Sequence, residues 1–261
     1  MPAGQWILLN IPTWAVALIM LAIATGFSVV GLLIVRRYVP PEKLKSHHDI
    51  AGPLHATIGV IYAVLLAFTT IIVWEQYDTT SRNLTNEALY YSDVARNSLG
   101  IPEPLRSEFR AALDQYFNTV IEEEWHKLEY GGQSDKVLAA GKKVNSVFAR
   151  FEPSTEKEKI VFQQVLNKLN AAGEMRRERI ISAHEGVPPV LWMVLLVGGL
   201  ITVAFTFFFG SENLLAQILM TTMLAALIAL VLFTILVLDY PFIGDMKVTT
   251  EALEHMLKST T

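Results

Sequence analysis

The 261-residue chain contains no cysteine, which removes disulfides, thiolate metal centres and thiol nucleophiles together. It is also poor in charge. Only 18% of its residues are Asp, Glu, Lys or Arg, and the formal net charge of −4 comes without a basic cluster, so no surface of the kind that grips nucleic acid or an anionic headgroup is expected. The most informative shortage is local. Four stretches, Trp14–Val35, Ala56–Trp74, Val187–Phe209 and Leu214–Leu238, run 19 to 25 residues without one charged side chain. A helix rising about 1.5 Å per residue covers a hydrocarbon core of roughly 30 Å with ~20 residues, so each stretch is long enough to cross a bilayer. Four buried helices of a soluble core would instead carry polar stripes on some faces. The overall composition agrees, with 52% hydrophobic residues and a mean hydropathy of +0.38. The first stretch lacks a basic n-region and ends in Arg36-Arg37 rather than a small-residue cleavage site, so it reads as a span and not as a signal peptide.

The spacing of the spans predicts an all-α protein: four transmembrane helices in two hairpins, with a four-helix soluble bundle inserted between the second and third spans. The expected divisions are a first hairpin over 1–74, a helical soluble domain over 75–187, a second hairpin over 188–238 and a C-terminal tail over 239–261. Within the insert, the second span continues as a helix with Leu84, Ala88, Tyr91 and Ala95 on one face, until Gly100 and Pro102. The next helix carries Leu105, Phe109, Leu113, Tyr116, Phe117, Val120 and Leu128, and Gly131-Gly132 ends it. Ser134 is a suitable N-cap for a third helix bearing Val137, Gly141, Val144, Phe148 and Phe151, closed by Pro153. Thr155-Glu156-Lys157-Glu158 has capping-box spacing and opens a fourth, with Phe162, Val165, Leu166, Leu169 and Ala172 on its stripe. Pro188-Pro189 then leads into the third span, a position that suits proline at a helix start.

The location expected is the cell (inner) membrane, multi-pass, in contact with the lipid bilayer. Arg36, Arg37, Lys43 and Lys45 follow the first span, whereas no Lys or Arg precedes it. The positive-inside rule therefore puts residues 36–55 in the cytoplasm and the helical insert on the extracytoplasmic side. Glu212 in the other short loop, and Arg176, Arg177 and Arg179 in the insert, argue the opposite way.

Several motifs resemble a known family. His48-Asp49-Ile50-Ala51-Gly52, Gly59 through Phe68, Trp74-Glu75-Gln76-Tyr77, Asn86-Glu87-Ala88, Glu122-Glu123-Glu124-Trp125 and Leu238-Asp239-Tyr240-Pro241-Phe242-Ile243-Gly244-Asp245 look like the marks of a bacterial bestrophin-like domain family of unknown function. The resemblance runs over nearly the whole chain, and it implies a remote relation to bestrophins, which are oligomeric anion channels. It also implies a cytoplasmic insert. The chain departs from the pattern at Gly210-Ser211-Glu212-Asn213, where basic residues are common in the family, and at Tyr240, which stands in place of an Arg. Both departures weaken an anion-attracting role for those positions.

Among function classes, an enzyme is not expected. Glu123 and His126 have the Glu-x-x-His spacing of di-iron bundles, but the motif occurs once where two are needed, so Glu122 to Glu124 read as a solvated helix face. No metal and no cofactor is expected. Ion- or proton-coupled carriers place ionisable groups at mid-membrane, and these spans have none. A passive ion channel formed by a homo-oligomer meets no such objection, because hydrophobic constrictions, hydroxyls and backbone dipoles can line a path for small ions. Its pore-lining candidates are Gly59, Tyr62, Ala63, Leu66, Thr69 and Thr70 on the second span, with Thr202 and Thr206 on the third. The same small and hydroxylic residues would also serve close helix packing, and Ala225 and Ala229 illustrate that use. Glu75, Asp239 and Asp245 are candidates for a pore mouth or ion-binding ring, the alternative being helix-end carboxylates paired with Arg176, Arg177 or Arg179. Tyr240-Pro241-Phe242 reads as an aromatic interfacial anchor. The other function class is a membrane sensor or scaffold that signals through a partner protein, since a helical bundle fused to spans can shift one helix against its neighbours.

Overall fold

The computed structural model describes residues 3–40, 48–211 and 213–260. Lys43, Lys45 and Glu212, used in the sidedness argument, lie outside the described residues. Among those described the protein is helical throughout, with no strand. Its helices are α1 (Ala3–Asn10), α2 (Thr13–Tyr38), α3 (His48–Asn97), α4 (Leu105–Thr119), α5 (Trp125–Leu128), α6 (Asp135–Phe148), α7 (Glu156–Ser182), α8 (Pro189–Phe205), α9 (Leu214–Leu238) and α10 (Glu251–Thr260). The four apolar stretches lie on α2, α3, α8 and α9, each long and apolar enough to span a membrane. The chain forms two compact units: a membrane unit, Pro2–Glu75 with Gly186–Asp239, and a polar unit, Gln76–Glu185 with Tyr240–Thr261. Helix α3 contributes to both.

In the membrane unit the first and last spans, α2 and α9, pack against each other. Lipid tails are as apolar as leucine, so close approach of backbones and local hydrogen bonds do what water exclusion does in a soluble core. Gly31 of α2 leaves the space that the Phe207 ring occupies. The hydroxyls of Ser28 and Thr222 lie 3.4 Å apart across the α2–α9 contact. The Arg36 guanidinium donates to the Ser211 carbonyl. Large apolar side chains point outward along every span, among them Ile23, Phe68, Val190 and Met223.

The polar unit is built the other way round. Its core is apolar and rich in rings, with Phe109 fully buried against Phe148 at 5.4 Å between centroids and Tyr91 edge-on to Phe117 at 4.4 Å. Helices α4 and α6 pack against each other within it. The predicted helix ends have physical counterparts. The Thr155 hydroxyl accepts from the Glu158 N–H at 3.2 Å while the Glu158 carboxylate accepts from the Thr155 N–H at 3.1 Å, a complete capping box. Gly131 adopts φ +70°, and the Gly132 N–H returns to the Lys127 carbonyl at 2.8 Å, which closes the preceding helix. Ser134 stands at the N-cap of α6, but its hydroxyl makes no capping bond.

Three readings change. The run Val120–Glu124 is a turn of π-helix between α4 and α5 rather than a continuous α-helix, and Glu124 is fully buried instead of lying on a solvated face. Phe242 is 2% exposed and packs edge-on against Trp125 at 6.0 Å within the polar unit, so it is a core residue and not an interfacial anchor. The C-terminal segment joins the same core, because Leu253 and Met256 on one face of α10 are buried there.

Candidate functional site

Helix α3 runs from His48 to Asn97 without interruption. After Gly59 no Gly or Pro occurs until Gly100, so nothing in this stretch favours a kink. Its buried positions, Thr69, Val73, Thr80, Leu84, Glu87, Tyr91 and Val94, recur at spacings of four, seven, four, three, four and three, the seam of a helix packed along its length.

The span-two candidates divide between two sides of this helix. Tyr62 is buried and donates its hydroxyl to the Leu195 carbonyl of α8 at 2.9 Å. Its ring lies against the glycine pair of that helix: a Cβ added at Gly198 would come within 2.8 Å of two ring carbons, and one at Gly199 within 2.8 Å of the hydroxyl oxygen. The missing side chains at 198 and 199 thus create the seat for Tyr62. Thr69 is buried on the same side, with its hydroxyl donated to the Leu65 carbonyl at 2.9 Å. Gly59, Ala63, Leu66 and Thr70 share the other side, where Ala63 is exposed, the other three are half-buried, and no heavy atom from elsewhere lies within 4 Å of a Cβ built at Gly59. Thr70 donates to the Leu66 carbonyl at 2.7 Å, and Thr202 to the Gly198 carbonyl at 2.8 Å. Thr206 bonds the Val203 carbonyl at 2.6 Å. Every hydroxyl among the candidates is therefore satisfied by a backbone carbonyl, as apolar surroundings require.

The acidic candidates do not behave alike. Glu75 is exposed at the end of the membrane unit's part of α3, and Asp245 is exposed in the polar unit. Asp239, only 3% exposed, caps the end of α9. It accepts from the Val187 N–H at 2.6 Å and from the Trp192 indole N–H at 3.3 Å, one bond to each carboxylate oxygen. Its carboxyl is pushed above the ordinary aspartate range by burial, an effect these two hydrogen bonds oppose. Its partners are thus neutral N–H groups and not the arginines named as the alternative for it.

Two of those arginines, Arg176 and Arg179, belong to a buried ion cluster in the polar unit that the sequence reading missed. Arg179, fully buried, donates Nε to Glu87 at 2.8 Å and Nη2 to Glu87 at 3.1 Å, and Nη2 also reaches Glu124 at 3.1 Å. Arg176 donates to both oxygens of Glu124, Nε reaching at 3.2 Å the same oxygen that Arg179 holds. The Arg179 guanidinium stands over the Trp125 ring at 5.1 Å, a cation–π contact. Glu87, Glu124 and Arg179 are all 0% exposed. Burial works against the charge on Arg179, but the two carboxylates outweigh it and raise its pKa. Burial likewise raises Tyr91 and Tyr116, which flank Glu87 and stay neutral. A signal was present: Arg179 falls on the line Val165, Ala172, Arg179 at intervals of seven, and Glu87 falls on the line Thr80, Glu87, Val94. An ionisable residue at a core position of a helix repeat asks for a partner on a facing helix.

A family model described as Bestrophin-like domain matches residues 22–253. No curated protein sequence matches the chain. Crystal structures of a bacterial bestrophin homologue from Klebsiella pneumoniae share the fold. One variant form is 10% identical, with a TM-score of 0.69 over 92% of this chain and 96% of that one. A second is 15% identical, with a TM-score of 0.67 over 93% and 95%. A third, phased on zinc, is 14% identical, with a TM-score of 0.59 over 91% and 94%.

Proposed function

We propose, from the fact that this chain belongs to the Bestrophin-like domain family, that it assembles as a homo-oligomer into a passive ion channel in the cell (inner) membrane, with the second span as the principal pore helix. In this reading the four spans form two hairpins, with the helical bundle inserted between the second and third, and the Gly59, Ala63, Leu66 and Thr70 side of α3 faces the axis. The observation that carries it is the division of α3 just described. Tyr62 and Thr69 face the packed side, while Gly59, Ala63, Leu66 and Thr70, a line of small or apolar residues ending in a hydroxyl, stay half-buried or exposed within the subunit. Leu66 is the constriction, and the Thr70 oxygen keeps a lone pair for a passing ion after donating its proton to the helix. The protein is read as a conduit and not an enzyme.

Ion flux into liposomes reconstituted with the purified oligomer tests this, with an unrelated four-span protein as control. Flux that falls when Ala63 or Leu66 is replaced by Trp, with oligomer size unchanged, supports the pore assignment. No flux above control over several pH and calcium conditions overturns it and leaves a sensor or scaffold acting through a partner protein. Sidedness is tested separately, because the loop charges favour a polar unit outside the cell whereas the bestrophin-like resemblance implies one inside. A single cysteine at exposed Leu89, in a chain that has none of its own, reacts with an impermeant maleimide in intact cells only in the first case.

A further inference from the structure

We propose that the Glu87–Arg179–Glu124 cluster is a register latch, which fixes the rotation and height of α3 against α7 and so sets the conducting state of the pore; the second half of this rests on reading span two as the pore helix. Three observations lead to it. The first concerns what a buried ion cluster is good for. Desolvation takes back most of the Coulomb attraction of a buried pair, and well-packed apolar residues of the same volume would stabilise the unit as well or better. What the ions supply and apolar residues do not is a single geometry, because guanidinium donors have fixed directions. Here Glu87 receives two N–H groups of one guanidinium while Glu124 receives a third bond from it. A rotation of α3 by one residue, roughly 100°, would strip Arg179 of Glu87 and leave that buried carboxylate unmatched.

The second observation is where the partners sit. Glu87 is on α3, Arg179 is in the last turn of α7, and Glu124 is at the end of the π turn. A π turn places its side chains off the α-helical line, and here Glu124 and Trp125 both point into the unit, one as acceptor and the other as the ring under Arg179. The third is the stiffness of α3. Leu66 and Glu87 are 21 residues apart on one helix, with Glu87 in its packed seam. With no Gly or Pro between them, nothing in that stretch favours a kink.

The test uses the intact oligomer with Glu87→Gln, with Arg176→Gln as a milder outer lesion, and with Glu87→Gln plus Arg179→Met to remove both charges. Each is measured for flux per reconstituted oligomer, for melting temperature, and for the distance between spin labels on cysteines at exposed Leu89 and Glu178, labelled subunits being diluted with unlabelled ones. The latch predicts that Glu87→Gln changes flux by about fivefold or more and moves or broadens the label distance by about one residue's rise, ~1.5 Å, with Arg176→Gln doing less. The double variant is expected to melt near the parent while its label distance stays broad. Lower melting with unchanged label distance and unchanged flux overturns the proposal and makes the cluster a plain stabiliser. If the parent protein conducts nothing, the channel reading falls, and the label distance alone decides whether the cluster sets register.

Discussion

The two units of this protein solve opposite problems with the same helices. The polar unit hides its charges: Glu87, Glu124 and Arg179 are sealed inside a ring-rich core. The membrane unit turns large apolar side chains outward and keeps small or hydroxylic ones, Ser28, Thr202 and Ala225 among them, inside. In water, burying Phe109 is worth roughly 2 to 3 kcal/mol and drives assembly by itself. In lipid that force is absent between helices, and the contact between α3 and α8 depends on two glycines that admit a tyrosine and on one hydroxyl meeting one carbonyl. The polar unit should therefore be most sensitive to lost volume and unmatched charge, and the membrane unit to added volume.

The largest effect is expected from Arg179→Met, which leaves two buried carboxylates facing one remaining arginine. A loss of about 3 to 5 kcal/mol should appear as early melting of the polar unit, followed by hydrogen exchange of α3 and α7. Phe109→Ala should cost a similar amount, about 3 to 5 kcal/mol, through the cavity it leaves. A melt within ~1 kcal/mol of the parent would mean that the core relaxes around the gap. In the membrane unit, Gly198→Ala should cost about 1 to 3 kcal/mol by driving a methyl into the Tyr62 ring. Much of that loss should vanish when Tyr62→Ala is added, so a double-mutant cycle in detergent reads the seat directly. Tyr62→Phe, which removes only the hydroxyl, should cost ~0.6 kcal/mol and at most about 1.7.

The smallest effect is a pH dependence. Burial holds the Asp239 carboxyl above the usual range, so the folded state keeps that proton more tightly than the unfolded chain. Asp239 accordingly favours the fold below the ordinary aspartate pKa, and that contribution is lost as the pH rises through the raised value. Asp239→Asn should flatten this part of the stability curve, with a net change under about 1 kcal/mol at neutral pH, since an amide oxygen can still accept the Val187 N–H. A curve of unchanged slope would remove Asp239 as its source.

Much of the fold was legible because hydropathy and helix period are local. The spans, the Thr155–Glu158 capping box, the Gly131 stop and nearly all of the α4 stripe could be read from neighbours four residues away. The candidate site was legible only as a set of residues. Gly59 and Tyr62 lie within one turn of α3, and nothing in span two by itself says that Tyr62 meets a glycine pair on α8 while Gly59 faces open space. Glu124 read as solvated because its neighbours Glu122 and Glu123 are acidic, and only the π turn and the distant Arg179 explain its burial.

By itself, then, the sequence determined that this is a helical membrane protein with four apolar spans and a polar helical insert, because the transfer of charge and backbone into lipid is costly enough to be decided residue by residue. Tertiary structure decided which carboxylate meets which arginine, which side of α3 is packed and which is open, and that Leu253 and Met256 complete the polar core. Each of those depends on partners dozens of residues away, and a buried charge or an open helix face acquires its meaning only from the group placed opposite it.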